Sequence, residues 1–158
     1  MLCSPFGVGE GEHKAFLSCA LKTGTDGAAA QANGLIDGHA YTLLSVIEVG
    51  NSGDSGHYRL LELRNPWGEF EWTGNFSDHS DKWNANLKEL CDFSSEADGT
   101  FWMAWQDFLR FFDEVEVGGF SSPARVGRLL HAVRYFAGRD ISACIARDIH
   151  SYNRFTFI

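Results

Sequence analysis

Two runs of strand-forming residues face each other across a short turn-forming segment, and this limits the fold more than any other feature of the chain. Residues 38–49 are rich in Thr, Val, Ile, Leu and Tyr, residues 57–65 form a second such run, and Asn51-Ser52-Gly53-Asp54-Ser55-Gly56 lies between them. Asn, Ser, Asp and Gly favour tight turns, because they tolerate unusual backbone angles or bond their own main chain. The pattern reads as an antiparallel β-hairpin. Strand side chains alternate with period two, so His39, near the start of one strand, and Asn65, at the end of the other, leave the same face. A turn centred on residue 52 sets His39 directly opposite Asn65. One centred on residue 53 sets Tyr41 opposite Asn65, with His39 one diagonal step away. Opposed Cβ atoms lie ~5 Å apart and diagonal ones ~7–8 Å. In either register the Asn amide reaches an imidazole nitrogen.

Around this hairpin the chain reads as strands with a few short helices. Residues 14–21, 100–105 and 115–117 have strand character, and a Gly/Ala-rich loop is expected over residues 23–34. Trp83, Leu87 and Leu90 have helical spacing, which predicts a helix near 82–91; Phe108, Leu109 and Phe112 predict another over 106–113. Residues 1–120 hold 7 Lys/Arg and 19 Asp/Glu, whereas residues 121–158 hold 6 Arg and 2 Asp. The sign of the charge changes at Gly118-Gly119-Phe120-Ser121-Ser122-Pro123, a stretch with linker chemistry. We therefore expect one domain over residues 1–118, then a linker and an unassigned segment over 119–158. In that segment Val126, Leu129, Leu130 and Val133 fit a helix, and the rest to residue 158 has no clear pattern.

Composition excludes several classes. A net charge of −8 disfavours a nucleic-acid backbone as partner. No run approaches the ~18 apolar residues of a transmembrane helix. Residues 1–11 lack the basic-then-apolar order of a secretory leader, so a cytoplasmic location is expected. Cys3, Cys19, Cys91 and Cys144 are widely spaced with no C-x-x-C pair, which favours ordinary thiols over zinc or disulfides. Asn75-Phe76-Ser77 has the form of a glycosylation sequon, but without a leader chance is the better reading.

A His beside an Asn has a known chemical use. A cysteine protease needs an imidazole to accept the thiol proton, and a carboxamide suits the task of fixing that ring's tautomer and angle. Taken alone, His and Asn at hairpin ends are more often structural, and Asn65-Pro66 is an ordinary turn dipeptide. The surrounding wording decides. Gly38-His39-Ala40-Tyr41, then Arg64-Asn65-Pro66-Trp67-Gly68-Glu69-Phe70-Glu71-Trp72-Thr73-Gly74, then Asp98-Gly99-Thr100-Phe101-Trp102-Met103 with Asp107-Phe108, resemble the second, His/Asn-bearing subdomain of the calpain cysteine protease core. The resemblance spans about residues 14 to 118.

That resemblance implies an α+β fold of mainly antiparallel strands with short helices, the barrel-like half of a papain-like cysteine proteinase. It implies that His39 is the general base, Asn65 its orienter and Trp67 the indole covering their hydrogen bond. It implies a calcium site formed by Glu71, Asp78, the Glu96 carbonyl and Asp98, weakened because Thr100 stands where the family commonly has another acid. Glu69 and Asp81 read as solvated charges. The family's nucleophile lies in a segment resembling Q-G-x-x-G-D-C-W, and no such string occurs here. The expected partners are therefore a Cys-bearing subdomain of the same parent chain and protein substrates, and the chain alone is expected to be inactive. The alternative is a non-catalytic calpain-like interaction module. A papain-like peptidase of another family would share the His and Asn but not the Glu71 and Asp78 pair.

Overall fold

The computed structural model describes residues 16–21, 27–50, 56–118, 144–149 and 152–157. Seven strands form one sheet, β1 (Phe16–Leu21), β2 (Ala40–Val49), β3 (Tyr58–Arg64), β4 (Thr100–Ala104), β5 (Phe112–Gly118), β6 (Cys144–Ile149) and β7 (Tyr152–Phe157). Their order across the sheet is β4-β3-β2-β1-β5-β7-β6, and every neighbouring pair is antiparallel. Three short helices accompany them, α1 (Gly27–Ala32), α2 (Ala85–Leu90) and α3 (Trp105–Phe111). The α+β class with mainly antiparallel strands is as the sequence predicts.

The hairpin is β2 paired with β3, and the end nearest His39 adopts the second of the two registers. Thr42 lies opposite Arg64 and Leu43 opposite Leu63, which leads Tyr41 toward Asn65. The register then shifts by one between Leu43 and Ser45, leaving Leu44 as the extra residue of a β-bulge. The bulge reverses the alternation. Tyr41, Leu43 and Val46 all join one core cluster, and Ile47 joins the other. Unbroken alternation would have sent Val46 to the face opposite Leu43.

Both faces of the β3–β4 region are covered, so these strands are apolar on each side. Leu61, Leu63, Phe101 and Met103 pack with Trp105, Phe108 and Phe111 of α3 in the larger cluster. Leu60 and Trp102 point the other way, onto Leu87 of α2, Phe76 and Cys91. Asn84 caps α2, its Oδ1 accepting the Leu87 N–H at 2.9 Å. Trp83 precedes this helix and packs its ring against Phe76 and Phe93.

Some expectations need correction. The Gly/Ala-rich loop contains α1, because three alanines in a row favour helix over loop and Ala30 packs into the core. Helix α3 begins at Trp105 and ends at Phe111; Phe112 opens β5, so its burial comes from a strand. The segment beyond residue 118 contributes β6 and β7, which extend the sheet past β5. The expected turn at residues 51–55, the linker at 119–123 and the helix at 126–133 lie outside the described residues.

Candidate active site

His39 and Asn65 sit just beyond the ends of their strands, and their side chains meet. His39 Nε2 lies 2.8 Å from Asn65 Oδ1. Asn65 is fully buried, and every polar atom of its side chain is used. Its Nδ2 donates to the Glu69 carbonyl and, at 3.2 Å, to the Phe70 carbonyl. Its Oδ1 also accepts the Trp67 backbone N–H at 3.0 Å.

This pattern fixes a tautomer. The two carbonyls can bond only to an NH₂ group, so the amide cannot be turned round. Its oxygen therefore faces His39, and an amide oxygen only accepts. His39 must then carry its proton on Nε2, which leaves Nδ1 with a lone pair directed away from Asn65. An imidazole held this way has one free basic nitrogen of fixed direction.

The backbone supports the arrangement. Asn65-Pro66-Trp67-Gly68 is a β-turn closed by Gly68 N–H on the Asn65 carbonyl at 3.0 Å, with Pro66 at its favoured position. The Asn65 N–H donates to the Gly99 carbonyl at 2.8 Å. Gly99 has φ +86, and a Cβ there would lie 2.8 Å from both the Asn65 carbonyl oxygen and the Gly68 Cα. Only glycine fits so close an approach.

Rings hold the imidazole on two sides. Trp67 lies across it with centroids 4.4 Å apart and planes tilted by 46°. Tyr41 meets it edge-on at 5.1 Å, and the Tyr41 hydroxyl accepts the Ile36 N–H at 2.9 Å, tying down the loop before His39. Burial pushes the Tyr41 phenol up from its ordinary value, so it stays neutral. The sequence sets Tyr41 opposite Asn65 in this register and gives Trp67 a role, but assigns none to Tyr41 or to the Glu69 and Phe70 carbonyls. Period-two alternation from His39 was a usable signal for Tyr41. The two carbonyls left none, because backbone groups carry no residue identity.

The four residues expected to hold calcium fall in two loops. The Asp78 carboxyl is pushed up to about 6, first by burial and then by Glu71, with His79 pulling it down and Asp98 adding to the rise. Its Oδ1 is buried with no hydrogen-bond partner. Glu71 Oε1 accepts the Gly99 N–H at 2.7 Å, and Asp98 Oδ1 accepts the Thr100 N–H at 2.8 Å. The Glu96 carbonyl accepts the Asp98 N–H at 2.8 Å. Among the described residues no group of three or more His, Cys, Asp or Glu side chains is gathered to hold a metal. The acids thus repel one another without forming a closed cage.

Cys19 and Cys91 are buried thiols, and burial pushes the Cys19 thiol far up, out of reach of ionisation. The remaining cysteines, Cys3 and Cys144, have no described side chain. No helix among the described residues is long and apolar enough to cross a membrane.

Comparison with known proteins identifies the class. Residues 8–119 match the model of the calpain family cysteine proteases. Calpain-9 of Rattus norvegicus is 38% identical over 120 residues, covering 73% of this chain and 17% of that protein. The Calpain-2 catalytic subunit of Mus musculus is 36% identical over 115 residues, covering 67% and 15%. Calpain-B of Drosophila melanogaster is 33% identical over 130 residues, covering 78% and 14%. The chain therefore belongs to the calpain family of cysteine proteases. It spans less than a fifth of the length of these relatives.

Proposed function

We infer that these residues supply the base and its orienter for a calpain-type cysteine endopeptidase, within a papain-like core. The observation that carries this reading is the His39 Nε2–Asn65 Oδ1 bond at 2.8 Å, made by an Asn whose amide can face only one way. In the proposed reaction a cysteine thiol gives its proton to His39 Nδ1, and the thiolate attacks the peptide carbonyl. The imidazolium returns the proton to the leaving amine, and water then hydrolyses the thioester. Asn65 keeps Nε2 occupied throughout, so the proton moves only at Nδ1. Trp67 shields one face of the ring from water.

The nucleophile belongs, in this reading, to a Cys-bearing subdomain that forms the other wall of the cleft, and the residues described here are inactive without it. Neither Cys19 nor Cys91 serves, since both are buried. Residues 1–118 act as the His/Asn subdomain, with 119–158 as linker and appended segment. Buried reduced thiols suit a cytoplasmic protein. Glu71, Asp78, Asp98 and the Glu96 carbonyl form an incomplete calcium site. The donors fit a hard cation in kind, because a divalent ion would offset both the burial that pushes Asp78 up and the added repulsion from Glu71 and Asp98. With Thr100 uncharged, binding is weak.

In the complete protease, His39→Ala lowers kcat/KM for a peptide substrate by about 10³-fold or more while the fold survives. Activity retained in that variant removes His39 from the mechanism, whereas a complete parent that cleaves no peptide even with His39 in place favours the reading as a non-catalytic interaction module.

A further inference from the structure

Trp67 and Phe70 are the exposed large hydrophobic side chains among the described residues, at 61% and 56% exposure. Single apolar residues scattered over a surface need no explanation, but these two share the short loop that closes around Asn65. Phe70 is the harder to account for. Its φ is +63, in the left-handed region, where a bulky side chain is strained and Gly or Asn sits easily. The backbone is held there from both sides. The Phe70 carbonyl accepts from Asn65 Nδ2, and one residue on, the Glu71 carbonyl lies so near Gly34 that a Cβ there would come within 2.0 Å. The Thr73 N–H then donates to the Asn33 carbonyl at 3.0 Å.

So the loop aims the Phe70 ring outward on a rigid base, and that ring belongs to neither core cluster. Strain and exposure are both unfavourable within the chain, which points to an occupant outside it. The rim of the patch states that occupant's charge. Glu69 within the loop and Asp98 beside it are exposed, the Asp98 backbone carbonyl lying close to Gly68. Arg64, at the end of β3, is the exposed cation beside them.

We propose that Phe70, with Trp67 beside it, docks a large apolar side chain of an extended polypeptide substrate, one that carries Lys or Arg next to that side chain. This rests on the protease reading. His39 turns Nε2 toward Asn65 and this loop and Nδ1 away from it, so a residue seated on Phe70 lies at least one residue from the bond that is cut.

The test uses the 158-residue chain, ¹⁵N-labelled and titrated with three capped alanine-based hexapeptides. They carry Phe-Lys, Ala-Lys or Phe-Glu at the centre. The Phe-Lys peptide shifts the Trp67 indole and Phe70 amide signals, and the other two bind about tenfold more weakly. Phe70→Asn, which accepts the left-handed backbone without strain and so keeps the fold, loses the preference for Phe. Equal binding of the three peptides, shifts confined to other surfaces, or a preference that survives in Phe70→Asn overturns the proposal. So does concentration-dependent broadening at Phe70 without peptide, which assigns the patch to a second copy. The His39 ring nitrogens are read in the same samples. If they keep Nε2 protonated while docking fails, only the substrate inference falls; if they do not, the protease reading falls first.

Discussion

At the scale of single residues, Asn65 organises more of this molecule than its size suggests. It is buried beside an imidazole, yet each of its side-chain hydrogen-bonding positions is filled, by two carbonyls on one atom and by an N–H and a ring nitrogen on the other. Burying a polar side chain is tolerable only when it is satisfied in this way. Removing it strands its partners. Asn65→Ala leaves the Glu69 and Phe70 carbonyls and the Trp67 N–H without their side-chain partner, and lowers unfolding free energy by about 2–4 kcal/mol in urea titrations. A variant as stable as the parent contradicts this account of the loop. The identity of Asn65 was legible in the sequence, because it sits in a long string of uncommon residues. The manner of its fixing was not, since it depends on main-chain atoms from residues 69 and 70.

At the scale of elements, the hairpin was legible and its irregularity was not. Turn-forming residues between two β-rich runs give an antiparallel pair from local chemistry alone. The bulge at Leu44 changes which residues face together, yet an apolar run such as Leu43-Leu44-Ser45-Val46-Ile47 looks the same in either parity. Helix α1 was missed because Gly and Ala also suit loops. Strands β6 and β7 were missed because the pairing that joins them to the sheet, β7 with β5, is long-range. The neighbouring strand β3 carries a separate consequence. Glu62 is pushed up to about 7, by burial first and then by Asp92 and Asp98, from an ordinary value of 4.5. The folded chain therefore keeps a proton that the unfolded chain has lost. Stability falls as pH climbs from about 4.5 toward 7, and levels off above. Glu62→Gln removes this slope and raises the melting temperature at pH 8 by about 2–4 °C. A pH profile unchanged by the substitution shows that Glu62 does not cause it.

At the scale of the whole molecule, one sheet carries the base and its orienter at the end of β2 and β3, and the acidic loops lie around the same end. Gly99 joins the two. Its carbonyl accepts from Asn65, and its N–H donates to Glu71. A cation drawn to Glu71, Asp78 and Asp98 would thus act on the backbone that holds Asn65. Calorimetric titration of the chain with calcium at pH 7.5 gives weak binding, lost in Asp98→Ala. Affinity falls as pH drops through about 6, where Asp78 takes up its proton. No heat at millimolar calcium removes the metal from the account.

The reading of the site turns on which ring nitrogen of His39 holds the proton when the imidazole is neutral, and long-range ¹⁵N–¹H correlation NMR of the intact chain reports this directly. The account predicts a proton on Nε2 and a bare Nδ1, with that preference lost in Asn65→Ala. A proton on Nδ1, or a mixture like that of free histidine in the parent chain, contradicts it.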